Sequence, residues 1–473
     1  MRSGIDRYGV LLVSALSLLG LGLAGCDDST ADGSADGAVT ARKQDAPPPG
    51  LVKQVRSELA ARGITPIAAP PDASPELLAL GEALFYDKVL SGTRDVACAT
   101  CHAPQLATAD GRPLNAGIGA DGIGLANGGL IGGRHTQPLF NLHLLPGGLT
   151  IDGKVELVDG AVMTLGLPLI PPEYQQTLGF DIVKAQAIMP LVTHQEMRGF
   201  PDPNDDNELG DCDVFDLGCV WGGIMVRLGD IPEYVDMFEA AFPGKTWDEM
   251  TIAEVGVAIG AYEYQAFFFD DSPWDRFVAG DDAALSDAAL RGARHFYASN
   301  KGNCASCHSG NALTDQKYHK TLSPMFGPGG SVPGGDGPGG LDDFGRMRNT
   351  HDPADKYAWR TPPLRGVELT APYGRLGQYT TLDGFLSHYH DPVAALKHYD
   401  ITQLLMAVLH GTLLNNTADV LASGVDPLLA KIKIKSQDHA DLKAFLHSLT
   451  DDAQRDLHHL IPDSVPSGLP VDQ

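Results

Sequence analysis

One five-residue pattern, present twice, constrains this chain more than any other feature of its sequence. Residues 98–102 read Cys-Ala-Thr-Cys-His, and residues 304–308 read Cys-Ala-Ser-Cys-His. In Cys-x-x-Cys-His the thiols add to the vinyl groups of a c-type haem and the adjoining imidazole binds its iron, so a zinc ribbon or a disulfide pair is a remote alternative. We therefore predict two covalently attached haem c groups. The predicted attachment residues are Cys98, Cys101, Cys304 and Cys307, and the predicted iron ligands are His102 and His308.

The first 25 residues are typical of an export signal. Arg2 and Arg7 precede an apolar run over Val10–Leu23, which is too short and too rich in glycine for a membrane span. The run leads into Leu-Ala-Gly-Cys, which resembles the lipobox of bacterial lipoproteins. We predict a lipoprotein-type signal peptide over residues 1–25 and lipidation of Cys26; the alternative is an ordinary secretory signal with a chance cysteine. Both imply export, and with the lipid anchor as its only membrane contact we expect the protein on the periplasmic side of a bacterial membrane.

The rest of the chain is predicted to form a tether and two haem domains. Residues 26–72 are rich in Asp, Gly and Pro, which predicts a flexible tether with one short helix near Val52–Ala61. At 473 residues the chain is long enough for two or three domains. We expect an N-terminal haem domain over residues 73–280 and a C-terminal haem domain over residues 281–462.

A second repeat precedes the two haem patterns. Leu80–Tyr86 and Arg291–Tyr297 are both amphipathic, and each ends in Phe-Tyr shortly before Cys-x-x-Cys-His. Duplication of one cytochrome-like unit explains this pairing; two unrelated haem-packing helices are the alternative. Ser74-Pro75 and the capping box of Thr251–Phe269 predict helix starts, and Ser436 is expected to cap a last helix. Strand signals are scarce, so the predicted fold is mainly α, with two cytochrome c-like haem domains related by internal duplication.

Charge and the two remaining cysteines give weaker indications. The net charge of −26 argues against nucleic acid or an anionic membrane surface as a partner. A negative charge would favour docking of a basic redox protein, although solubility explains an acidic surface equally well. Cys212 and Cys219 are left after lipidation and haem attachment, and in an oxidising compartment they are expected to form a disulfide; two free thiols are the alternative.

Further motifs resemble the bacterial dihaem cytochrome c peroxidase family, which also contains MauG, an enzyme that matures a tryptophan-derived cofactor. The resemblance runs from about Ser74 to Thr450. The motifs that carry it are Leu84–Asp87, Arg134–Asn141, Gln195–Met197, Pro362–Arg365 and Leu369–Tyr373. It implies an enzyme that reduces hydrogen peroxide with electrons from a small cytochrome c or cupredoxin.

Glu196 is the catalytic residue that the resemblance implies. It aligns with the family's distal glutamate, which moves a proton between the two oxygens of peroxide. For an isolated Glu-Met pair, a solvated surface glutamate would be the default interpretation. The matched motifs around Glu196 favour acid–base work at the first haem.

Two departures from the family concern the first haem and calcium. Many members carry a histidine that caps the resting first haem, but residues 117–133 contain none, so an open first haem is expected, as in MauG-like members. His135 replaces the Asn whose side-chain oxygen binds the family's calcium, and a structural role is expected for it. A calcium ion held by the backbone carbonyls of Thr370 and Pro372 remains compatible with the sequence.

Two more departures concern the second haem. Alignment from Leu369–Tyr373 puts Tyr389 at the family's second-haem ligand position, where MauG-like members use tyrosine; His388 or His390 is the alternative ligand. Ile151 replaces the tryptophan that lies between the haems in the family, and an aliphatic side chain is a poor station for electrons. Trp274 and Trp359 could replace it, although each is typical of a core aromatic.

Three functions are compatible with these residues. The leading one is a dihaem peroxidase in which the second haem relays electrons to the first. A MauG-like oxidase that modifies a partner protein is the second, favoured by the missing capping histidine and by Tyr389. The third is a dihaem electron carrier without turnover, which Glu196 and an open first haem argue against.

Overall fold

The computed structural model describes most of the chain beyond the export signal. The described residues are 48–145, 147–164, 169–202, 206–213, 216–328 and 335–473. The predicted signal peptide, Cys26 and residues 26–47 of the predicted tether lie outside them. Within the described ranges, every helix is too short or too polar to cross a bilayer.

The described part of the chain is mainly helical, which confirms the predicted fold class at that level. The α-helices are α1 Pro49–Arg62, α2 Pro75–Tyr86, α3 Cys98–Cys101, α4 Pro172–Thr177, α5 Ile182–Ala187, α6 Leu217–Gly229, α7 Pro232–Ala241, α8 Ile252–Ala266, α9 Pro273–Ala279, α10 Asp287–Tyr297, α11 Met347–Thr350, α12 Leu382–His390, α13 Pro392–Lys397, α14 Thr417–Ala422 and α15 His439–His447. Short 3₁₀ turns connect many of them.

Short antiparallel strands complete the fold. The strands are β1 Gly148–Leu149, β2 Val155–Val158, β3 Ala161–Thr164, β4 Tyr318–His319 and β5 Trp359–Arg360. One sheet has the order β1-β2-β3, with Val155 opposite Thr164, and the other pairs β4 with β5, with His319 opposite Trp359.

Local capping explains where the best-predicted helices begin. The Ser74 hydroxyl accepts from the Leu77 N–H at 3.2 Å, and Pro75 occupies the first turn of α2, where its missing N–H costs nothing. Thr251 and Glu254 form the predicted capping box of α8. Ser436 was expected to cap the last helix, but it opens a 3₁₀ turn, and α15 begins three residues later.

A glycine on the helix before each haem pattern allows a close helix crossing. A Cβ at Gly81 of α2 would overlap the carbonyl of Ala258 on α8. A Cβ at Gly292 of α10 would overlap the carbonyl of Asp441 on α15. Gly81 and Gly292 occupy the same place in the repeat found in the sequence. The shared arrangement is what a duplicated unit would produce, and the duplication itself stays a prediction.

Two large hydrophobic clusters follow the division of the chain. The first gathers apolar residues of α2, α5, α6, α7 and α8, and the second gathers those of α1, α10, α12 and α15. Trp274 and Phe277 belong to the second cluster although they precede residue 281. The predicted domain boundaries remain predictions.

Both ends of the described chain pack onto the body. Val55 of α1 is 1% exposed within the second cluster, and Arg56 binds Asp282 at 2.7 Å. The short helix predicted near Val52–Ala61 is present as α1, but residues 48–64 pack on the body rather than forming a flexible tether, because one face of α1 is apolar and buried. At the other end, Val465 is buried in the first cluster.

Candidate functional site

Each Cys-x-x-Cys-His pattern lines its own cavity. The first cavity is lined by Cys98, Cys101 and His102 together with Glu196. The second is lined by Cys304, Cys307, His308 and Tyr389. The structure therefore brings each predicted attachment pattern together with the residue predicted to act beside it.

The two motif histidines are oriented in the same way. The Nδ1–H of His102 donates to the carbonyl of Thr108 at 3.1 Å, and that of His308 donates to the carbonyl of Leu313 at 3.1 Å. A carbonyl can only accept, so each ring keeps Nε2 for a metal. Burial lowers the pKa of both histidines to about 4, which keeps them in the neutral form that binds iron. With the unpaired thiols in both motifs, these residues fit two haem c groups.

Glu196 lies on a π-helical turn, His194–Arg198, at the first cavity. Such turns widen the helix by one residue and are frequent at functional sites. Two glycines allow the chain to pack flat against this turn: a Cβ at Gly117 would overlap the carbonyl of Gln195, and one at Gly92 would overlap that of Arg198. The Gly92 N–H also donates to the carbonyl of Met197 at 2.7 Å. Glu196 is therefore held on a firmly packed turn.

A disulfide supports the same turn through Arg198. Arg198 is 1% exposed, and its guanidinium donates to the carbonyls of Leu209 and Cys212. Cys212 is joined to Cys219 at the start of α6, with the Cα atoms 5.8 Å apart. The pairing is the disulfide expected for the two leftover cysteines, and it ties the loop that holds Arg198 to a helix.

Glu263 is a second acidic residue of the first cavity, which the sequence analysis missed. It lies on α8 and is 8% exposed. Burial, assisted by the negative charge of Asp181, raises the pKa of Glu263 to about 8. The sequence feature that could have revealed this residue is a glutamate inside the largely apolar run of α8.

The glycine-rich loop after the first haem pattern, residues 117–133, is held by its own backbone hydrogen bonds. The Gly117 N–H donates to the carbonyl of Leu130, and the Leu130 N–H donates to that of Ile118, both at 2.9 Å. Residues 117–133 are all described, and Gly133 alone among them lines the first cavity. This loop therefore contributes one glycine, and no side chain able to bind iron, to the first cavity.

His135 makes a backbone contact of the kind that a structural role requires. Its Nδ1–H donates to the carbonyl of Arg112 at 2.8 Å, and the residue lines both cavities. Thr370 and Pro372 line the second cavity, as His135 does. An imidazole nitrogen is a poor calcium ligand compared with oxygen, so calcium here stays a prediction that depends on backbone carbonyls.

The geometry separates the three candidates for the second-haem ligand. Tyr389 lines the second cavity with His308. Both ring nitrogens of His388 are already used: Nε2 faces the carbonyl of Thr321 at 2.8 Å, and Nδ1 faces the hydroxyl of Tyr379 at 2.9 Å. Burial lowers the pKa of His388 to about 4, so its ring is neutral. His390 is exposed, and its Nδ1 contacts the carbonyl of Ile434 at 2.6 Å. The arrangement favours Tyr389.

A shared wall separates the cavities. The described residues that line both are His135, Thr136, Gln137, Pro138, Ile151, Arg360, Pro362 and Pro363. Among these eight, none is Trp, Tyr, Met or Cys, the side chains that are oxidised most readily. Ile151 thus lies between the cavities, at the place expected from the resemblance.

The two tryptophans considered as replacements are placed differently. Trp359 lines the second cavity, and the Arg375 guanidinium carbon lies 4.0 Å from its ring centroid. A cation at this position opposes oxidation of the ring. Trp274 stacks on Phe277 and Tyr297 and lines neither cavity.

His319 is a charged group of the second cavity that sequence reasoning also missed. Its ring lies 3.0 Å from a carboxylate oxygen of Asp315 and 2.7 Å from one of Asp426. Hydrogen bonds, first to Asp315 and then to Cys307 and Asp426, raise the pKa of His319 to about 11. Cys307 is an attachment thiol of the haem motif, so this cluster is better explained as an ion network than as a metal site.

Comparisons with known proteins agree with this geometry. The family model of di-haem cytochrome c peroxidase matches residues 75–283. The cytochrome c551 peroxidase of Pseudomonas aeruginosa is 30% identical over 300 residues, which cover 63% of this chain and 67% of that protein. The methylamine utilization protein MauG of Methylophilus methylotrophus is 27% identical over 316 residues, which cover 66% of this chain and 72% of that protein.

Solved structures extend the likeness beyond the matched region. A MauG-like protein associated with microbial copper homeostasis has a TM-score of 0.55 and 25% identity, covering 83% of this chain and 94% of its own. The dihaem peroxidase BthA from Burkholderia thailandensis has a TM-score of 0.53 and 19% identity, covering 87% of this chain and 95% of its own; at that identity the likeness concerns the fold. The chain is therefore an oxidoreductase that belongs to the di-haem cytochrome c peroxidase family, as its motifs predicted.

Proposed function

We propose that this protein reduces hydrogen peroxide to water at the first cavity, using electrons from a small periplasmic cytochrome c or cupredoxin that enter at the second cavity. The observation that carries the proposal is Glu196, which lines the same cavity as His102. The loop that bears a capping histidine in many relatives contributes only Gly133 to that cavity. The proposed location is the periplasmic side of a bacterial membrane, with Cys26 as the lipid anchor.

Glu196 has a defined task in this reaction. A bound haem supplies an iron that binds and polarises peroxide. The Glu196 carboxylate would take a proton from one peroxide oxygen and return it to the other, so that the O–O bond breaks with water as the leaving group. Two electrons and two further protons complete two water molecules. The packed turn beneath Glu196 keeps the carboxylate within the cavity.

A second candidate is a MauG-like oxidase that modifies a residue on a partner protein. Tyr389 at the second cavity favours it, because a phenolate ligand stabilises iron in its higher oxidation states. The shared wall weakens it, because Ile151 cannot be oxidised. The two candidates share their first cavity and differ in what returns the electrons.

Turnover with a small electron donor separates these candidates. Full-length holo-protein with reduced cytochrome c or cupredoxin should consume peroxide continuously and oxidise two donor molecules per peroxide. Consumption that stops after about one equivalent of peroxide, for every donor tried, would contradict the proposal. Continued consumption on adding a protein substrate alone would favour the MauG-like candidate.

The ligand assignment has its own test. Tyr389→Phe should change the ferric absorption and electron paramagnetic resonance spectra of the second haem and leave those of the first haem unchanged. His390→Gln is the matched control, because His390 is exposed and does not line the cavity. An unchanged second-haem spectrum in Tyr389→Phe would show that another residue binds the iron.

Calcium belongs to the same proposal. We assign a calcium ion to the backbone carbonyls of Thr370 and Pro372, which line the second cavity. Elemental analysis of the purified protein should then find about one calcium per chain. Protein that holds none after dialysis against calcium and then against buffer would exclude this site.

A further inference from the structure

Tyr379 and His388 form a hydrogen-bonded pair behind the wall of the second cavity. The Tyr379 hydroxyl oxygen lies 2.9 Å from Nδ1 of His388. Tyr379 is 7% exposed and His388 is 2% exposed, so water does not compete for either group. Neither residue lines the second cavity itself. The pair has no place in the reaction proposed above.

The other hydrogen bond of His388 defines the direction of this one. Its Nε2 lies 2.8 Å from the carbonyl oxygen of Thr321, which can only accept. Nε2 therefore carries the proton of the neutral ring, and Nδ1 offers its lone pair. The Tyr379 O–H donates to that lone pair. A phenol is thus in direct contact with a nitrogen base.

Aromatic rings connect the pair with the second cavity. Tyr379 and Phe385 have ring centroids 5.5 Å apart, and Phe385 and Tyr389 have centroids 5.2 Å apart. Phe385 and Tyr389 both line the cavity. Tyr379 is therefore one ring removed from the cavity wall, a short distance for electron transfer.

We propose that Tyr379 is a redox-active tyrosine that holds one oxidising equivalent outside the second cavity, with His388 as its proton acceptor. On oxidation, Tyr379 loses one electron towards the cavity, its O–H bond breaks, and an N–H bond forms at Nδ1 of His388. The product is a neutral tyrosyl radical beside an imidazolium. Re-reduction by a donor electron returns the proton to the phenol. The inference rests on the proposed function.

The oxidant is hydrogen peroxide, which the proposed activity supplies. One peroxide takes two electrons and two protons to give two water molecules. In haem-loaded protein without a donor, Tyr379 would supply one of these electrons, and the bound haem would supply the other. No further co-reactant is needed.

Neighbouring tyrosines lack the base. Tyr399 has its ring centroid 5.8 Å from that of Tyr379, but its hydroxyl donates to the carbonyl of Gln378 at 2.6 Å. Tyr373 lines the second cavity, and its hydroxyl donates to the carbonyl of Glu368 at 3.3 Å. A carbonyl oxygen is far too weak a base to hold the phenolic proton. Tyr399→Phe is therefore a matched control for Tyr379→Phe.

Freeze-quench electron paramagnetic resonance tests this inference. Diferric full-length holo-protein is mixed with one equivalent of peroxide, and haem absorption is followed on the same sample. We expect a narrow organic radical that narrows further when ring-deuterated tyrosine is incorporated. Tyr379→Phe and His388→Gln should each reduce this signal at least tenfold, whereas Tyr399→Phe should retain it.

These outcomes distinguish a failure of the redox-tyrosine assignment from a failure of the proposed function. An equal radical yield in Tyr379→Phe and wild type would overturn the assignment, as would the absence of a tyrosyl signal while haem absorption responds to peroxide. If haem absorption itself does not respond, the proposed function fails, and the redox tyrosine falls with it. His388→Gln guards against misfolding of the first variant, since it keeps the phenol and removes only the base.

Discussion

Glu263 is buried in the wall of the first cavity, so its protonation state is coupled to folding. Its pKa is about 8 in the folded chain, because burial, and then Asp181, disfavours the charged form. In the unfolded chain a glutamate titrates near about 4.3. Between these two pKa values the folded state binds more protons than the unfolded state does. The free energy of unfolding therefore falls as the pH rises towards about 8. Above that pH, the contribution of Glu263 to the free energy of unfolding no longer changes.

Glu263→Gln removes that dependence. The advantage of the variant over wild type in free energy of unfolding should grow by about 3–4 kcal/mol between pH 5 and pH 8. Denaturant unfolding at a series of pH values is the measurement. Glu233→Gln, on an exposed face of α7, should show no such trend. A difference that does not vary with pH would contradict the assigned ionisation.

Single residues differ in how far sequence reveals them. The haem motifs were predictable because their chemistry requires fixed residue types at short spacing, whereas Glu196 was predictable only through the resemblance to a known family. Glu263 and Tyr379 were not, since each depends on groups distant in sequence: Glu263 on the cavity that α8 faces, and Tyr379 on a histidine nine residues away. Periodicity cannot report a contact formed only by the fold.

At the scale of elements, the π-helical turn and its supports determine where Glu196 lies. The turn is held by the buried guanidinium of Arg198, which binds the loop closed by Cys212 and Cys219. The disulfide should therefore affect both stability and reactivity, although it touches neither cavity.

Replacing Cys212 and Cys219 by Ser together should lower the free energy of unfolding by about 2 kcal/mol. Peroxide should also react more slowly with the first haem, because the loop behind Arg198 loosens. Urea unfolding and stopped-flow absorption are the measurements, and mild reduction of wild type should reproduce both effects. Unchanged stability together with an unchanged rate would show that the loop holds Arg198 without the disulfide.

Elements were predictable where local chemistry determines them. The starts of α2 and α8 follow from a cap, a proline and a capping box. The π-turn has no such signal, since it depends on packing against Gly92 and Gly117. The packed state of α1 was missed because the proline-rich composition around it suggested a tether, whereas its apolar face is covered by α10.

In the whole molecule, each end of the described chain packs on the hydrophobic cluster that is more distant from it in sequence. Helix α1 packs on the cluster of the second half, while the segment 463–473 packs on the first. Asp472 binds the Lys88 ammonium at 2.5 Å and the Thr100 hydroxyl at 2.6 Å, and Thr100 lies inside the first haem motif. Ser467 donates to Asp87 at 2.6 Å. The terminal segment therefore braces the first haem site, a long-range contact that sequence patterns did not indicate.

Asp472→Asn should weaken this brace. We expect a loss of about 1–3 kcal/mol in the free energy of unfolding, because a hydrogen-bonded charge pair loses its anion. Denaturation followed through the first haem's absorption measures the change. Asp463→Asn, at an exposed position, should have no effect. Equal stability of both variants would show that the terminal contacts contribute nothing.

In the proposed reaction, Glu196 drives proton transfer to peroxide at the first haem. The most direct test is the second-order rate constant of the ferric holo-protein with peroxide, measured by stopped-flow absorption for wild type and Glu196→Gln. We expect this rate constant to fall about 10²- to 10⁴-fold in Glu196→Gln and to stay unchanged in Glu233→Gln. Equal rate constants for Glu196→Gln and wild type would contradict it.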